Sequence, residues 1–339
     1  MAGEFDLIRD YFRDATAQRE DVLLGIGDDC ALLEVPAGKQ LAVSMDTLVV
    51  GRHFVADVDP QSLGYKALAV NLSDLAAMGA TPAWVTLSVT LPDADADWIK
   101  RFMAGFIELA KKHQLTLVGG DTTRGPLSIT LQVHGFVEPS NSMRRNAACV
   151  GDLIYVSGQL GDAGLALLAQ QGLYVKQGSL ASLKQRLDRP EPRIELGLIA
   201  AMHSRCAIDL SDGLGSDLGH ICEESQVGAL IYLDKLPISD AVTEYVTESG
   251  DWSLPLSAGD ITWREIARMK NSVATNLLIL DETFDSSLDN ESIQNLLKVI
   301  YSFEQQYNIF IISHKTDVLE DKFKSKIEFK KVRNFIKIC

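Results

Sequence analysis

Aspartate recurs in this sequence wherever glycine or a strand end allows a tight backbone. The sites are Gly25-Ile-Gly-Asp-Asp29, Met45-Asp46-Thr47, Asn71-Leu-Ser-Asp74, Gly119-Gly-Asp-Thr-Thr123 and Asp209-Leu-Ser-Asp-Gly213. Any one of them alone could cap a helix or close a turn, roles that Asp fills well. Together they point to metal. Asn71 and Asp74 are spaced to share one face of a helix, and Asp209 and Asp212 straddle a strand end and a helix start. Two carboxylates ~4 Å apart repel by about 4 kcal/mol at an effective dielectric near 20, so a converging set requires divalent cations. Hard oxygen ligands suit Mg²⁺, which keeps open positions for phosphoryl oxygens and joins a donor to an acceptor when both are anionic. Gly119 and Gly120 follow an apolar run and could bring backbone amides against a phosphate, with Asp121 next to hold a metal on the same oxygens. Arg144 and Arg145 are cationic candidates for triphosphate contact, and equally a solvated basic pair.

These residues need elements to position them. Helical periodicity appears at Phe5, Ile8, Tyr11 and Phe12, at Leu63, Ala67 and Val70, and at Trp98, Phe102, Phe106, Leu109 and Ala110. Between these stretches lie β-rich runs at Leu41 to Met45, Trp84 to Leu91, Leu115 to Val118, Ile129 to Val137, Leu153 to Ser157, Ala207 to Leu210 and Ala229 to Leu233. The interleaving predicts an α/β fold, layered in the α+β manner, with a domain boundary near the Gly151-Asp152 turn. No phosphate-loop motif G-x-x-x-x-G-K-[ST], no G-x-G-x-x-G opening a helix after a strand, and no H-E-x-x-H occurs.

The chain has 339 residues, 46% hydrophobic and 23% charged, the balance of a globular protein of two or more domains. Its net charge of −14 disfavours a general nucleic-acid binder. No run of about 18 apolar residues occurs, and the chain opens Met-Ala-Gly-Glu-Phe-Asp, so it is expected to be neither secreted nor membrane-spanning. Five scattered cysteines, never spaced C-x-x-C, signal neither a disulfide framework nor a zinc site and suit the cytoplasm; Cys206 and Cys222 read as buried small hydrophobes. Composition breaks near residue 260. All 25 glycines and 10 prolines lie at or before Gly259, and the first 260 residues carry a net charge of −15 against +1 for the rest.

The ordered runs G-I-G-D-D-C-A-L-L at 25 to 33, K-A-L-A-V-N-L-S-D-L-A-A-M-G-A at 66 to 80, G-G-D-T-T-R-G-P-L at 119 to 127 and A-I-D-L-S-D-G-L at 207 to 214 resemble the thiamine-monophosphate kinase family over about residues 3 to 260. The resemblance implies an aminoimidazole ribonucleotide synthetase-like two-domain fold, here with an atypical C-terminal segment. It implies transfer of the γ-phosphate of ATP directly to the phosphate of thiamine monophosphate, and a homodimer built through the N-terminal halves. Carried over motif by motif, Asp29, Ser44, Asp46, Asp74, Asp121, Asp209 and Asp212 would hold Mg²⁺, while Gly120, Asp121, Arg145 and Ser211 would meet the nucleotide. Asp46, Asp74, Asp121 and Asp212 would carry catalysis. His53, in Gly51-Arg-His-Phe54, matches the family's substrate contact; without the resemblance a single His reads as structural. Asp260 matches the position of a substrate-binding acid, but the run here is Ser257-Ala-Gly-Asp-Ile-Thr-Trp263, and the family pattern stops there. The expected organisation is 1–145 for the metal and ATP site and dimerisation, 146–260 for a second α/β domain shortened relative to the family, and 261–339 for a foreign-looking tail.

That tail contains Asn276-Leu-Leu-Ile-Leu-Asp-Glu282, Ser286-Ser-Leu-Asp289 and Ile309-Phe-Ile-Ile-Ser-His-Lys315, which resemble the strand, D-loop and switch histidine of phage recombination-nuclease ATPase subunits of the ABC type. On that resemblance Asp281 would hold Mg²⁺ through water, Glu282 would polarise the attacking water and His314 would sense the γ-phosphate. The phosphate loop such an ATPase needs is absent from the sequence. Two functions are therefore expected to compete: a Mg²⁺-dependent kinase on residues 1–260, with no nucleic-acid or membrane partner, and a nucleotide-dependent module of a DNA recombination complex on the tail.

Overall fold

The computed structural model describes residues 11–12, 15–93, 95–173 and 175–257, together with four strands of the C-terminal segment. The chain divides into two compact units, Met1–Ser272 and Val273–Cys339.

In the first unit, strands β3 (Gln40–Val49), β4 (Thr81–Leu91), β5 (Thr116–Arg124) and β6 (Ser128–Val137) form a sheet in the order β3-β6-β4-β5. β6 runs antiparallel to both β3 and β4, and β4 and β5 are parallel. The parallel pair requires a crossover, which helix α2 (Ala96–Lys112) provides. Helices α1 (Pro60–Ala77) and α2 cover one face of the sheet, and the main core, with Leu63, Leu72, Phe102, Phe106, Ile129 and Leu131, lies between the layers. Asp59 caps α1 by accepting the Ser62 N–H at 2.9 Å, and Pro60 follows at a position where a missing N–H costs nothing. Asp95 caps α2 through the N–H groups of Asp97 and Trp98. The two helices touch backbone to backbone: a Cβ on Gly64 would lie 1.9 Å from the Phe102 carbonyl oxygen, and one on Gly105 1.8 Å from that of Gln61. A hairpin of β1 (Val22–Leu24) and β2 (Leu32–Leu33) brings Val22 and Leu33 against Trp84 and Phe136 on the opposite sheet face, where Asp21 accepts the indole N–H at 2.9 Å. The expected helices at Leu63 to Val70 and Trp98 to Ala110 and the expected strands of this half are present; the expected helix through Phe5 and Ile8 falls largely outside the described residues.

The second half of this unit is built from helices α3 (Asp162–Gln170), α4 (Gln177–Asp188), α5 (Ile194–Ala200), α6 (Leu214–Ser225), α7 (Asp240–Ser249) and α8 (Ser253–Ser257). Here the sequence expectation is corrected. The runs 153–157, 207–210 and 229–233 are not ladder strands; their only neighbouring pairing among the described residues is an isolated parallel bridge between Leu160 and Ile238. Val156, Leu210 and Ile231 still turn inward against Leu160, Leu214 and Leu218, while Tyr155 is 85% exposed and Leu230 64% exposed. β propensity measures the fit of a side chain to a pleated surface, and a strand also needs a partner backbone. Cys206 and Cys222 are half-buried, not the fully buried hydrophobes the composition suggested.

In the second unit, β7 (Leu277–Asp281) pairs in parallel with β8 (Asn308–Ile312), and β9 (Phe329–Val332) antiparallel with β10 (Phe335–Ile338). The two strands expected in the tail are thus present, with Asp281 opposite Ile312 at the last position of the register. Glu282, Ser286 to Asp289, the stripe Leu296, Leu297, Ile300 and Phe303, and His314 lie outside the described residues.

Candidate active site

Strand alternation on β3 sends Ala42, Ser44, Asp46 and Leu48 toward the helix layer and leaves Leu41, Val43, Met45 and Thr47 exposed on the other face. The polar members of the inward set meet α1. The Ser44 hydroxyl donates to Asp74 Oδ2 at 2.5 Å, and the Asp46 N–H donates to Asn71 Oδ1 at 3.1 Å. Asn71 is fully buried and donates its own amide to the Ala67 carbonyl at 3.0 Å. Its place is therefore to fix β3 against α1, one turn from Asp74. The spacing of Asn71 and Asp74 predicts one shared helix face, and on that face the Asn71 oxygen is engaged by the strand.

The segment 207–213 brings the next acid. Burial pushes the Asp209 carboxyl up to about 7, and the charges of Asp74, Asp217 and Asp46 push in the same direction, against a hydrogen bond from Ser73. Burial likewise raises Asp74, opposed by the Ser44 hydrogen bond and by the positive charge of Arg145. Asp46, Asp74 and Asp209 thus share one electrostatic field, with the Arg145 guanidinium close enough to act on it. Arg145 sits in a 3₁₀ turn, Arg145–Ala147, whose first carbonyl accepts from the Ser225 hydroxyl of α6 at 2.7 Å.

Asp217, which sequence reasoning missed, organises the loop that carries Ser211 and Asp212. Its Oδ2 accepts the N–H of Ser211 at 2.8 Å and that of Asp212 at 3.0 Å from inside the first turn of α6, with 3% of the residue exposed. Burial is the main cause that raises its pKa, and those backbone donors oppose it. The available signal was an acid five residues past Asp212 in the first turn of a helix opened by Gly213. Gly213 itself has φ +104°, and a Cβ there would lie 2.5 Å from the Ser257 carbonyl carbon.

Other expected residues lie on other segments. Asp29 lies in an exposed turn between β1 and β2, where its N–H donates to the Asp28 carboxylate at 2.8 Å. Gly120 and Asp121 are on β5, at the edge of the sheet opposite β3. Gly120 packs so closely that a Cβ would lie 1.8 Å from the Leu87 carbonyl oxygen. His53 follows β3 in a loop turned by Gly51 at φ +76°, and its Nδ1 accepts the Val49 N–H at 2.9 Å, so the neutral ring carries its proton on Nε2. Asp260 lies outside the described residues. Among the described residues, no three His, Cys, Asp or Glu side chains approach closely enough to form a metal-binding group. What Asp46, Asp74 and Asp209 offer is hard oxygen donors whose charges raise the Asp209 carboxyl, the field that a cation would discharge.

The two-helix layer on a mixed four-stranded sheet, followed by a half built from helices, belongs to the AIR synthase-related class: the chain matches the AIR synthase related protein N-terminal domain over residues 27–137 and its C-terminal domain over 150–250. It is 52% identical over 261 residues to thiamine-monophosphate kinase of Escherichia coli K12, across 76% of this chain and 80% of that one. It is 37% identical over 260 residues to the Bacillus subtilis enzyme of the same name, across 74% and 79%. The crystal structure of thiamine-monophosphate kinase from Stenotrophomonas maltophilia K279a superimposes with a TM-score of 0.70 at 45% identity, covering 79% of this chain and 88% of that one. The structure of AaThiL complexed with AMPPCP and TMP gives 0.61 at 33% identity, covering 69% and 76%. The chain belongs to the thiamine-monophosphate kinase family, and so to the kinases. The resemblance of residues 261–339 to ABC-type ATPase subunits rests on the sequence motifs alone. Among the described residues no helix is long and apolar enough to cross a membrane.

Proposed function

We propose that the chain transfers the γ-phosphate of ATP to the phosphate of thiamine monophosphate, making thiamine diphosphate by direct in-line displacement in the cytoplasm. The observation that carries this reading is the field shared by Asp46, Asp74 and Asp209 with Arg145 beside it. A relative within the family is described with AMPPCP and TMP bound, which supports ATP as donor and the monophosphate as acceptor. The acceptor phosphate is already ionised at neutral pH, so positioning and charge neutralisation are needed and a general base is not. Asp46, Asp74, Asp209 and Asp212 would hold Mg²⁺, assisted by Ser44, Asp29 and Asp121; bound there, the ion would neutralise phosphoryl oxygens of both reactants. Arg145, Ser211, Gly120 and Asp121 would orient the nucleotide, and His53 with Asp260 the substrate. Residues 1–145 and 146–260 would divide this work as two domains.

We further propose a homodimer. Leu41, Val43 and Met45 are 42%, 50% and 60% exposed on one face of edge strand β3, an apolar row that supports contact with a second copy. β3 and β5 occupy opposite edges of the sheet, so a copy that brings its β5 toward this β3 would bring its Asp121 toward Asp46.

The test is transfer of labelled γ-phosphate from ATP to thiamine monophosphate. Asp74→Asn should lower kcat by at least about a hundredfold while leaving the circular dichroism spectrum and Tm near those of the parent chain; ordinary turnover in that variant would reject the assignment.

A second reading attaches to the C-terminal strands alone. The parallel pair β7–β8 with Asp281 at its end supports the ABC-type likeness, and DNA-stimulated ATP hydrolysis that disappears in Glu282→Gln is the result it requires.

A further inference from the structure

Two thiols stand at the turn that carries Arg145. Cys206 Sγ lies 3.8 Å from the Arg145 carbonyl oxygen, and Cys149 Sγ 4.0 Å from the Ala147 carbonyl oxygen. The backbone amides of Ala147 and Ala148 also act on the Cys206 sulfur, and the chain passes from Ala148 directly into Cys149. A backbone hydrogen bond of 2.7 Å from Arg144 N–H to the Arg205 carbonyl fixes the two segments side by side. Both thiols are free; Cys149 is exposed and Cys206 half-buried. Burial raises the Cys206 thiol, and the charges of Asp152 and Cys149 add to it. Cys149 is therefore the thiol that an oxidant in solution reaches, and Cys206 the neighbour placed to resolve it.

We propose that Cys149 and Cys206 form an oxidisable pair, a disulfide modification site that ties the Arg145 turn to the segment carrying Asp209. The oxidant is a peroxide. The Cys149 thiolate attacks one peroxide oxygen, an S–O bond forms, the O–O bond breaks, and hydroxide leaves to become water. The Cys206 thiolate then attacks the sulfenic sulfur, the S–S bond forms, and the second oxygen leaves as water with the remaining thiol proton. Two electrons pass from the sulfurs to the peroxide. Disulfide formation draws the sulfurs to about 2.05 Å, so Cys206 Sγ gives up the Arg145 carbonyl. The turn then moves relative to Asp209, which lies three residues beyond Cys206. An effect on ATP rests on the proposed nucleotide contact of Arg145; the cross-link does not.

Hydrogen peroxide treatment of the full chain, thiol blocking and peptide mass spectrometry without reductant should give a 149–206 cross-linked peptide lighter by two hydrogens than its reduced parts. The KM for ATP should rise about tenfold and recover with dithiothreitol. Cys149→Ser and Cys206→Ser should each remove both responses and keep the KM of the reduced parent. Oxidation of Cys149 to a sulfinic acid without the cross-link, or linkage of either thiol to Cys30, Cys222 or Cys339 instead, overturns the proposal. A cross-link with an unmoved KM overturns its coupling to the proposed nucleotide contact of Arg145. Failure of the reduced chain to use ATP would count against the kinase reading and leave the cross-link result intact.

Discussion

Asp209 holds a proton in the folded chain that it would release in the unfolded one. Its carboxyl is raised from 3.8 to about 7 by burial first and then by Asp74, Asp217 and Asp46. Between those two values the native state binds the extra proton, so stability is greatest at the low end of the window and declines as pH rises toward 7, after which the loss is complete. In a chelating buffer, Tm should therefore fall between pH 5 and pH 8. Asp209→Asn should weaken that slope and exceed the parent at pH 8 by on the order of 1–3 kcal/mol. An unchanged slope in the variant would remove Asp209 from the acidic field. Mg²⁺ added at pH 8 should raise the Tm of the parent more than that of the variant. At this scale the sequence is most legible where a motif has one task. Asp46, Asp74 and Asp209 stand out as acids in tight backbone, and the charges of Asp74 and Asp46 reach the Asp209 carboxyl. Asp217 did not stand out because its task is to hold the amides of Ser211 and Asp212, which residue type alone does not reveal. Asn71 shows in the sequence only as a helix-face neighbour of Asp74; that its oxygen binds a strand is visible only in the structure.

Elements were legible in proportion to how locally they are determined. α2 announces itself through Asp95 at its cap and the Phe102, Phe106 and Leu109 stripe, and β6 through alternation that the burial pattern repeats. The runs at 153–157, 207–210 and 229–233 have the right residues for strands and no ladder, because pairing is decided by a neighbour the run does not contain. A less visible determinant is the contact of α1 with α2. Gly64 and Gly105 carry no side chain because each faces the partner helix backbone at less than 2 Å from where a Cβ would be. Backbone cannot give way as a flexible side chain can, so Gly105→Ala should cost about 1–3 kcal/mol through separation of the helices. A surface control such as Lys100→Ala should cost much less. Since Asp74 and Asn71 project from α1, separation should also lower kcat; a Tm equal to the parent's would show that the helices do not approach this closely.

At the scale of the whole molecule, the sheet separates residues that the motifs associate. Asp46 pairs with Leu131, Leu131 with Leu87, and Leu87 with Gly120, so Asp46 and Gly120 lie in one row across the sheet with Asp121 one residue further on. Three strand spacings make that row about 14 Å long, more than two aspartates can bridge to one ion with bonds of about 2.1 Å. If both serve the same phosphoryl transfer, they come from different copies, which the apolar row on β3 and the two sheet edges of the proposed dimer accommodate. Asp46→Asn and Asp121→Asn should each be inactive as homodimers. Mixed under conditions that exchange protomers, random pairing makes half of the dimers mixed, and each mixed dimer has one site with both aspartates intact, so about a quarter of the parent activity should return. Were both residues drawn from the same copy, every site in the mixture would lack one of them and no activity would return. The mixed dimer isolated through two affinity tags should show half of the parent kcat with an unchanged KM, because its one intact site is unaltered.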